Sequence, residues 1–337
     1  MGQFSILLKS DLERERIDAD FYLPRYLGTI RALRRIPHAE LGSRNLVTSG
    51  STPPDRDESL KEGVILLKTQ NIQDGFIDLS NDVFYIDERL DEQLKSTRLK
   101  PKDILLNIVG ATLEVIGRVV IVPQEFPRAN ITQAMALIRI SSNEFLPEYV
   151  FAFLFSKFGR IQVSRFARPT GQFNVNHQEI RAIIIPLMLH SFQISITDLV
   201  NKSIAFRQQS KIFREQAERK ILDTFRFEEM PKHFRLSYLA NLINCLNNHR
   251  IDPEFYRPEY EQIWNKVSEV AETNGWQIKS VRDLSEPLRY GTSEDFVYLD
   301  KGIPFLRISD MKNMDFDEET LHRLSDNDVA RAGVCKS

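Results

Sequence analysis

The 337-residue sequence predicts a mixed α/β protein of the α+β kind: one complete unit, one long coiled-coil helix, and the front portion of a second unit like the first. Three observations predict it. Two blocks of sequence recur in the same order 234 to 239 residues apart, short apolar runs rich in β-branched residues fill the first copy, and a later stretch carries apolar residues at alternating 4,3 spacing. The first marks a duplication, the second a sheet, and the third a helix that needs a partner helix.

The repeat is clearest at Arg16–Tyr26, RIDADFYLPRY, against Arg250–Tyr260, RIDPEFYRPEY, with seven of eleven positions identical. A second match follows in order, GVILLKTQNIQDGFID from Gly63 against GIPFLRISDMKNMDFD from Gly302. Between the two blocks each copy has a turn, Gly50-Ser51-Thr52-Pro53 and Gly291-Thr292-Ser293. The first copy continues from Leu99 to Phe225 with material the second never reaches, so the second unit is expected to have an unfinished core.

Along the first unit, Phe21, Tyr26, Ile30 and Leu33 have helical spacing, and Val64–Lys68 reads as a buried strand. Ile104–Val109, Ile116–Val122 and Ala134–Ile140 read as strands of one mixed sheet, Pro147–Phe158 as a helix, and Ile183–Leu187 as a last short strand. Phe192, Ile196, Leu199, Ser203, Phe206, Ser210, Phe213, Ala217, Ile221 and Thr224 then form the seam of a helix of about 33 residues, roughly 50 Å long.

The formal charge is −2, but its distribution is uneven. His38–Glu92 holds 12 acidic and five basic residues, whereas Gln93–His190 holds six acidic and 12 basic, and no acid occurs from Tyr149 to Gln178. An acidic protein with one basic face is compatible with a nucleic-acid partner, and a solvated surface explains the same run. No apolar run spans a bilayer and the start has no signal-peptide pattern, so no membrane role is expected. Cys245 and Cys335 lack metal or redox spacing, which fits a reducing cytoplasm.

The paired R-I-D-x-[DE]-F-Y blocks, the G-S-T-P turn, the L-K-P-K-D-I-L strand start (Leu99–Leu105) and the I-P-L…Q-x-x-I junction (Ile185, Pro186, Leu187, Gln193, Ile196) together resemble the specificity subunits of type I restriction–modification enzymes. Met188 stands where that family usually has a second proline. The resemblance implies two target-recognition domains, each reading half of a split DNA sequence and held apart by two antiparallel helices that methyltransferase subunits clasp. It divides the chain into an N-terminal segment (1–37), a first recognition domain (38–190), a spacer helix (191–226), a repeat of the N-terminal segment (227–276) and a partial second recognition domain (277–337). It also implies double-stranded DNA, methyltransferase and restriction subunits as partners. S-adenosylmethionine, and ATP with Mg for restriction, would belong to those partners, with no cofactor in this chain. The missing second spacer helix leaves self-association through the first as a further expectation.

No catalytic residue is expected. The sequence has no N-P-P-Y or D-P-P-Y tetrapeptide, Gly-rich methyl-donor loop, Walker phosphate loop or H-E-x-x-H pair. The six histidines (His38, His177, His190, His233, His249, His322) lack ligand spacing. DNA reading needs side chains that reach base edges and phosphates, and three segments supply them. The first is Ser51 and Thr52 with Lys68, Thr69 and Asn71. The second is Asn107 with Thr112. The third, expected to be a loop, is Arg165–His177, offering Arg165, Arg168, Thr170, Gln172, Asn174 and His177. Arg16, Asp18 and Tyr22 are expected to anchor the terminal segment or to meet the methyltransferase. The rival readings are a specificity subunit serving a fused methyltransferase–nuclease and a coiled-coil scaffold that binds no DNA.

Overall fold

The computed structural model describes residues 7, 12–13, 16–73, 75–80, 82–227, 237–285, 296–299, 301–310 and 321–331. The turn predicted at Gly291–Ser293, the end of the second repeat block, His233 and Cys335 lie outside the described residues. Two compact units emerge, Met1–Glu215 and Gln216–Ser337, and the division falls inside the long helix.

In chain order the first unit contains α1 (Pro24–Arg34), β1 (His38–Glu40), β2 (Leu46–Ser49), β3 (Val64–Leu67), β4 (Ile72–Gln73), β5 (Phe76–Ile77), β6 (Phe84–Ile86), α2 (Glu88–Gln93), β7 (Ile104–Asn107), β8 (Val109–Gly110), β9 (Val119–Ile121), β10 (Ala129–Ile131), β11 (Met135–Arg139), α3 (Pro147–Phe155), α4 (Lys157–Phe166), β12 (Arg168–Thr170), β13 (Gln172–Asn174), α5 (His177–Arg181) and β14 (Ile184–Pro186). The long helix α6 (His190–Phe225) leads out of it. Then come α7 (Leu242–Asn247), α8 (Pro258–Asn274), α9 (Val281–Leu284), β15 (Ile303–Phe305), β16 (His322–Leu324) and α10 (Asp326–Arg331). The fold is mixed α and β, as the sequence predicts.

The central sheet has strand order β2-β11-β7-β9 and is antiparallel throughout. This corrects the expectation of one mixed sheet. Parallel pairing occurs instead in a separate sheet, β10-β3-β6, where β10 runs beside β3. Both faces of the central sheet are covered, which explains why its strands read as continuous apolar runs rather than alternating ones. Ile104, Leu106, Val119, Ile121, Ala136 and Ile138 face the main core with α3 and α4. Leu105, Val120, Met135 and Leu137 alternate to the other face, against β3 and β10.

The helix predicted over Pro147–Phe158 breaks at Ser156, whose extended backbone ends α3 and begins α4. The Arg16 block packs against α4. Arg16 Nη1 donates to Phe166 O at 3.1 Å and to Glu179 Oε1 at 3.1 Å, while Asp18 receives its other face. Tyr22 Oη donates to Arg16 O at 2.7 Å. The block therefore anchors the terminal segment, one of the two roles expected for it.

Gln193 holds the junction into α6, and Asp103 closes a separate internal ion pair. Gln193 is buried; its Nε2 donates to Glu144 O and Met188 O, and its Oε1 accepts from Leu146 N. Asp103 is also buried, accepts from Lys100 N and closes a bidentate pair with Arg139. In α6 the predicted seam divides. Ile196 packs against the main core beside Val200 and Ile204, which lie outside that seam, whereas Leu199, Phe206, Phe213 and Ile221 are exposed. Arg207 lies 4.0 Å over the Phe76 ring, so the inward stripe continues one turn beyond the apolar residues.

The second unit repeats local features of the first. Arg307 N donates to Asp310 Oδ2 at 2.9 Å, as Lys68 N donates to Asn71 Oδ1 at 2.9 Å. β15 pairs with β16 as β3 pairs with β6, and each pair is preceded by a glycine with positive φ, Gly302 at 151° and Gly63 at 134°. At both glycines a Cβ would strike the carbonyl oxygen of the facing strand, Leu324 O at 2.3 Å and Ile86 O at 2.7 Å, so no larger residue fits.

Candidate nucleic-acid interface

The third segment is not a loop. Arg168–Thr170 and Gln172–Asn174 form a β-hairpin, paired Arg168 to Asn174, with Gly171 at its tip. Gly171 has φ 84° and open space around it, the backbone a tight turn needs. The hairpin joins the second segment through β13 and β8, with Phe173 facing Gly110 and Asn174 facing Val109. Val175 N then donates to Ile108 O.

The first and second segments also meet. Asn107 Nδ2 donates to Thr69 O at 3.1 Å. The turn between β10 and β11 stitches the rest. Ser51 N donates to Ile131 O, Thr132 N to Leu67 O, and Ile108 N to Ala134 O. Thr52 Oγ1 donates to Gln133 Oε1. Gln133 is exposed and was missed by sequence reasoning, although Thr132-Gln133 between two apolar runs was the available signal. All three segments thus converge on one side of the first unit, and Ser51, Thr112, Gln133, Gln172 and Asn174 are exposed there.

Several residues expected at the interface turn out to be internal. Arg165 is a correction. It belongs to α4, its side chain is 6% exposed, and it donates from Nη2 to Glu13 and from Nε to Phe21 O. Its guanidinium also lies 3.6 Å over the Phe21 ring, and burial lowers its pKa from the ordinary value. A side chain held this way cannot reach DNA. Asn71 and Asn107 are corrected for the same reason. Both are buried, Asn71 capping the turn after β3 and Asn107 tying β7 to Thr69. Lys68 is half-buried, paired with Asp82 and 3.6 Å over the Phe84 ring. Arg168 is paired with Glu179 at 2.7 Å. His177 opens α5 half-buried, beside the Asn176–Glu179 capping box at the hairpin root. Thr170 ends β12 at the hairpin tip.

The basic stretch from Tyr149 to Gln178 is therefore not one surface. Arg165 and Arg168 serve the Arg16 block and Glu179, while Arg160 Nη1 donates to Glu114 O. What the interface presents is mostly amides and hydroxyls, the groups that suit base edges, with few exposed cations. No group of three or more potential metal ligands occurs among the described residues. No helix among them is long and apolar enough to cross a membrane.

A unit of this kind, closed by a long helix and followed by a partial repeat of itself, is similar to the specificity subunits of type I restriction–modification systems. One relative is the specificity subunit of the type I restriction enzyme EcoBI from Escherichia coli, 27% identical over 149 residues, which is 44% of this chain and 30% of that protein. The chain thus matches less than a third of its relative's length. Solved structures that resemble it include the type I S subunit from M. genitalium, with 14% identity over 56% of this chain and 44% of that one, at a TM-score of 0.37. The HsdS subunit from Thermoanaerobacter tengcongensis shares 14% identity over 59% of this chain and 49% of that one, at a TM-score of 0.35. No family model matches the sequence.

Proposed function

We propose that this chain is a non-catalytic DNA-specificity subunit of a restriction–modification complex. The observation that carries the reading is the convergence of the β12–β13 hairpin, the Thr112 turn and the Ser51–Thr52 turn on one side of the first unit. Exposed amides and hydroxyls on three connected segments offer donors and acceptors to several adjacent base edges. The scaffold reading gives that convergence no use. Methyltransferase subunits are the proposed partners that clasp the assembly and bring S-adenosylmethionine. A restriction subunit brings ATP and Mg, and the complex works in the cytoplasm.

The test is methyl transfer from labelled S-adenosylmethionine to duplex DNA. The isolated chain is expected to give none, and the chain mixed with its methyltransferase subunit to methylate one defined split sequence. Methyl transfer by the chain alone, or methylation independent of sequence in the mixture, overturns the proposal.

A further inference from the structure

The long helix leaves the first unit at the end of the central sheet where the three segments meet. It starts at the opposite end. There Gln193 is tied to Leu146, the Phe192 ring meets Tyr149 at 6.4 Å, and the neighbouring Glu148 pairs at 2.8 Å with Lys102, just before β7. From Gln193 to Arg207 the helix advances about 21 Å at 1.5 Å per residue. Arg207 then lies 4.0 Å over Phe76 in β5. Gly75, next to Phe76, donates from N to Val119 O, and Val119 faces Leu106, the neighbour of Asn107. β4 follows directly on Thr69–Asn71 and pairs with β5. Asn107 faces Met135, just after Gln133, so α6 reaches β5 at the end of the sheet that carries the proposed interface.

What α6 brings there is charge. From Leu199 to Arg214 the sequence has four cations, Lys202, Arg207, Lys211 and Arg214, and no acid. The inward stripe of Ile196, Val200 and Ile204 continues at three- and four-residue steps as Arg207, Lys211 and Arg214. All three cations are exposed. Among the described residues Arg207 and Arg214 form no ion pair, and Lys211 has Glu215 at 3.9 Å. Asp78, whose pKa is lowered chiefly by hydrogen bonds from Ser80, also feels the charge of Lys211, which puts that cation on the β5 side of the helix. The exposed apolar row of Leu199, Phe206 and Phe213 lies one residue, or about 100°, around the helix. Burying that row against another helix therefore does not require covering the basic one.

We propose that Arg207, Lys211 and Arg214 form a phosphate track that holds the backbone of the duplex beside the bases read by the three segments. The assignment rests on the DNA-reading function proposed above. That interface offers amides and hydroxyls but few exposed cations, whereas DNA affinity comes largely from cations on phosphates. The α6 row supplies them at the same end of the unit. From Arg207 to Arg214 it runs about 10 Å along the helix, and one DNA strand places a phosphate every ~3.4 Å of its axis, so roughly three phosphates fall within its length. Stacking on Phe76 already orders the Arg207 side chain, which reduces the entropy lost on binding. Contacts of this kind set the position of the duplex without reading its sequence.

The test is duplex binding across a salt series by the full chain assembled with its methyltransferase subunit, with Arg207→Gln, Lys211→Gln and Arg214→Gln combined. Gln has a helix propensity close to that of Arg and Lys, so α6 is retained, and circular dichroism checks it. The triple replacement is expected to lower the slope of log affinity against log salt by about 2–3, at about 0.9 per phosphate. It should weaken the preferred duplex and singly altered duplexes equally. Lys61→Gln with Lys95→Gln, exposed cations before β3 and after α2, is expected to leave the slope unchanged. If the triple replacement costs helix, the single replacements are read instead, each expected to lower the slope by about 0.9. An unchanged slope, a slope lowered as much by the Lys61 and Lys95 changes, or an altered base preference overturns the track. So does failure of the variant to join the methyltransferase subunit, which would assign the row to that protein. If the unaltered complex binds all duplexes alike with a slope that the α6 changes still lower, sequence reading fails and the track stands. Selective binding with an unaltered slope removes the track alone, and no binding at all overturns both.

Discussion

Arg165 and Asp91 carry charge in places where charge is expensive, and both are held by specific partners. Arg165 stacks on Phe21, donates to Phe21 O and pairs with Glu13, which itself is partly exposed. Replacing it by Ala removes a cation–π interaction and leaves a buried carbonyl without its donor. The expected loss is about 2 kcal/mol of stability in denaturant unfolding, with the DNA target unchanged. A changed target at unchanged stability would return Arg165 to the interface. Asp91 is fully buried and receives Arg98, Arg128 and Asn130. Burial pushes its pKa up, but the two guanidinium groups outweigh that and hold it below the ordinary value. A carboxylate with a depressed folded pKa stabilises the protein above about pH 4 and loses that contribution as the pH falls through the folded value. Thermal unfolding is therefore expected to show a drop in Tm below about pH 4 that Asp91→Asn reduces. An identical pH profile in the variant would contradict the assignment.

These residues show why the candidate site was only partly legible in the sequence. Arg165 and Arg168 were attractive because no acid lies within the stretch around them, yet their partners, Glu13 and Glu179, lie 152 and 11 residues away in sequence. Asn71 and Asn107 have the right chemistry for base edges, but buried turns need the same amide groups. Segment identity was readable from residue type; exposure depended on long-range pairing.

At the scale of elements, the β12–β13 hairpin is the part of the proposed interface most open to solvent. Its tip stands clear of other atoms at Gly171, and Gln172 and Asn174 are exposed on the strand that pairs with β8. Replacing both with Ala is expected to cost about 1–3 kcal/mol of discrimination at each base whose hydrogen bonds are removed. Competition binding against duplexes altered at single positions measures it, and uniform weakening across all of them would assign the hairpin to the phosphate backbone. Pro169 and Gly171 are residues that suit a loop, but the same Gly marks a tight turn between strands. The central strands were legible as apolar runs. Their antiparallel order was not, because a sheet buried on both faces has no alternation to reveal partner or direction.

The helix α6 shows the opposite case. Its existence was legible from 4,3 spacing, and it spans 36 residues. Its seam was legible only in part, since Ile196 turns inward while Leu199, Phe206 and Phe213 stay exposed at intervals of seven. Burying such side chains contributes on the order of 1.5–3 kcal/mol each. Light scattering at micromolar concentration is expected to show association that Phe206→Asp with Phe213→Asp abolishes. A strict monomer, or association indifferent to those changes, contradicts helix pairing. If two copies pair antiparallel, their recognition units are related by a two-fold axis and the methylated site is palindromic.

For the whole molecule, the duplicated plan is visible in both sequence and structure. One unit carries the buried Arg16 block, an antiparallel central sheet and the proposed interface, and Gln193 fixes the start of α6 to the loop at Glu144–Leu146. Replacing Gln193 by Ala frees the helix from the reading unit, so the methylated sequence should tolerate altered spacing between its halves while keeping the same bases. Sequencing of methylated DNA would reveal that change, and an unaltered spacing requirement would show that Gln193 is not what sets it. The central claim, that the first unit reads DNA sequence through its three converging segments, is tested most directly by selecting duplexes from a random library. The full chain assembled with its methyltransferase subunit is expected to enrich one defined half-sequence, and the Gln172→Ala, Asn174→Ala variant to relax bases within that half alone. An enriched sequence that the hairpin changes leave untouched, or no enrichment at all, would contradict the account.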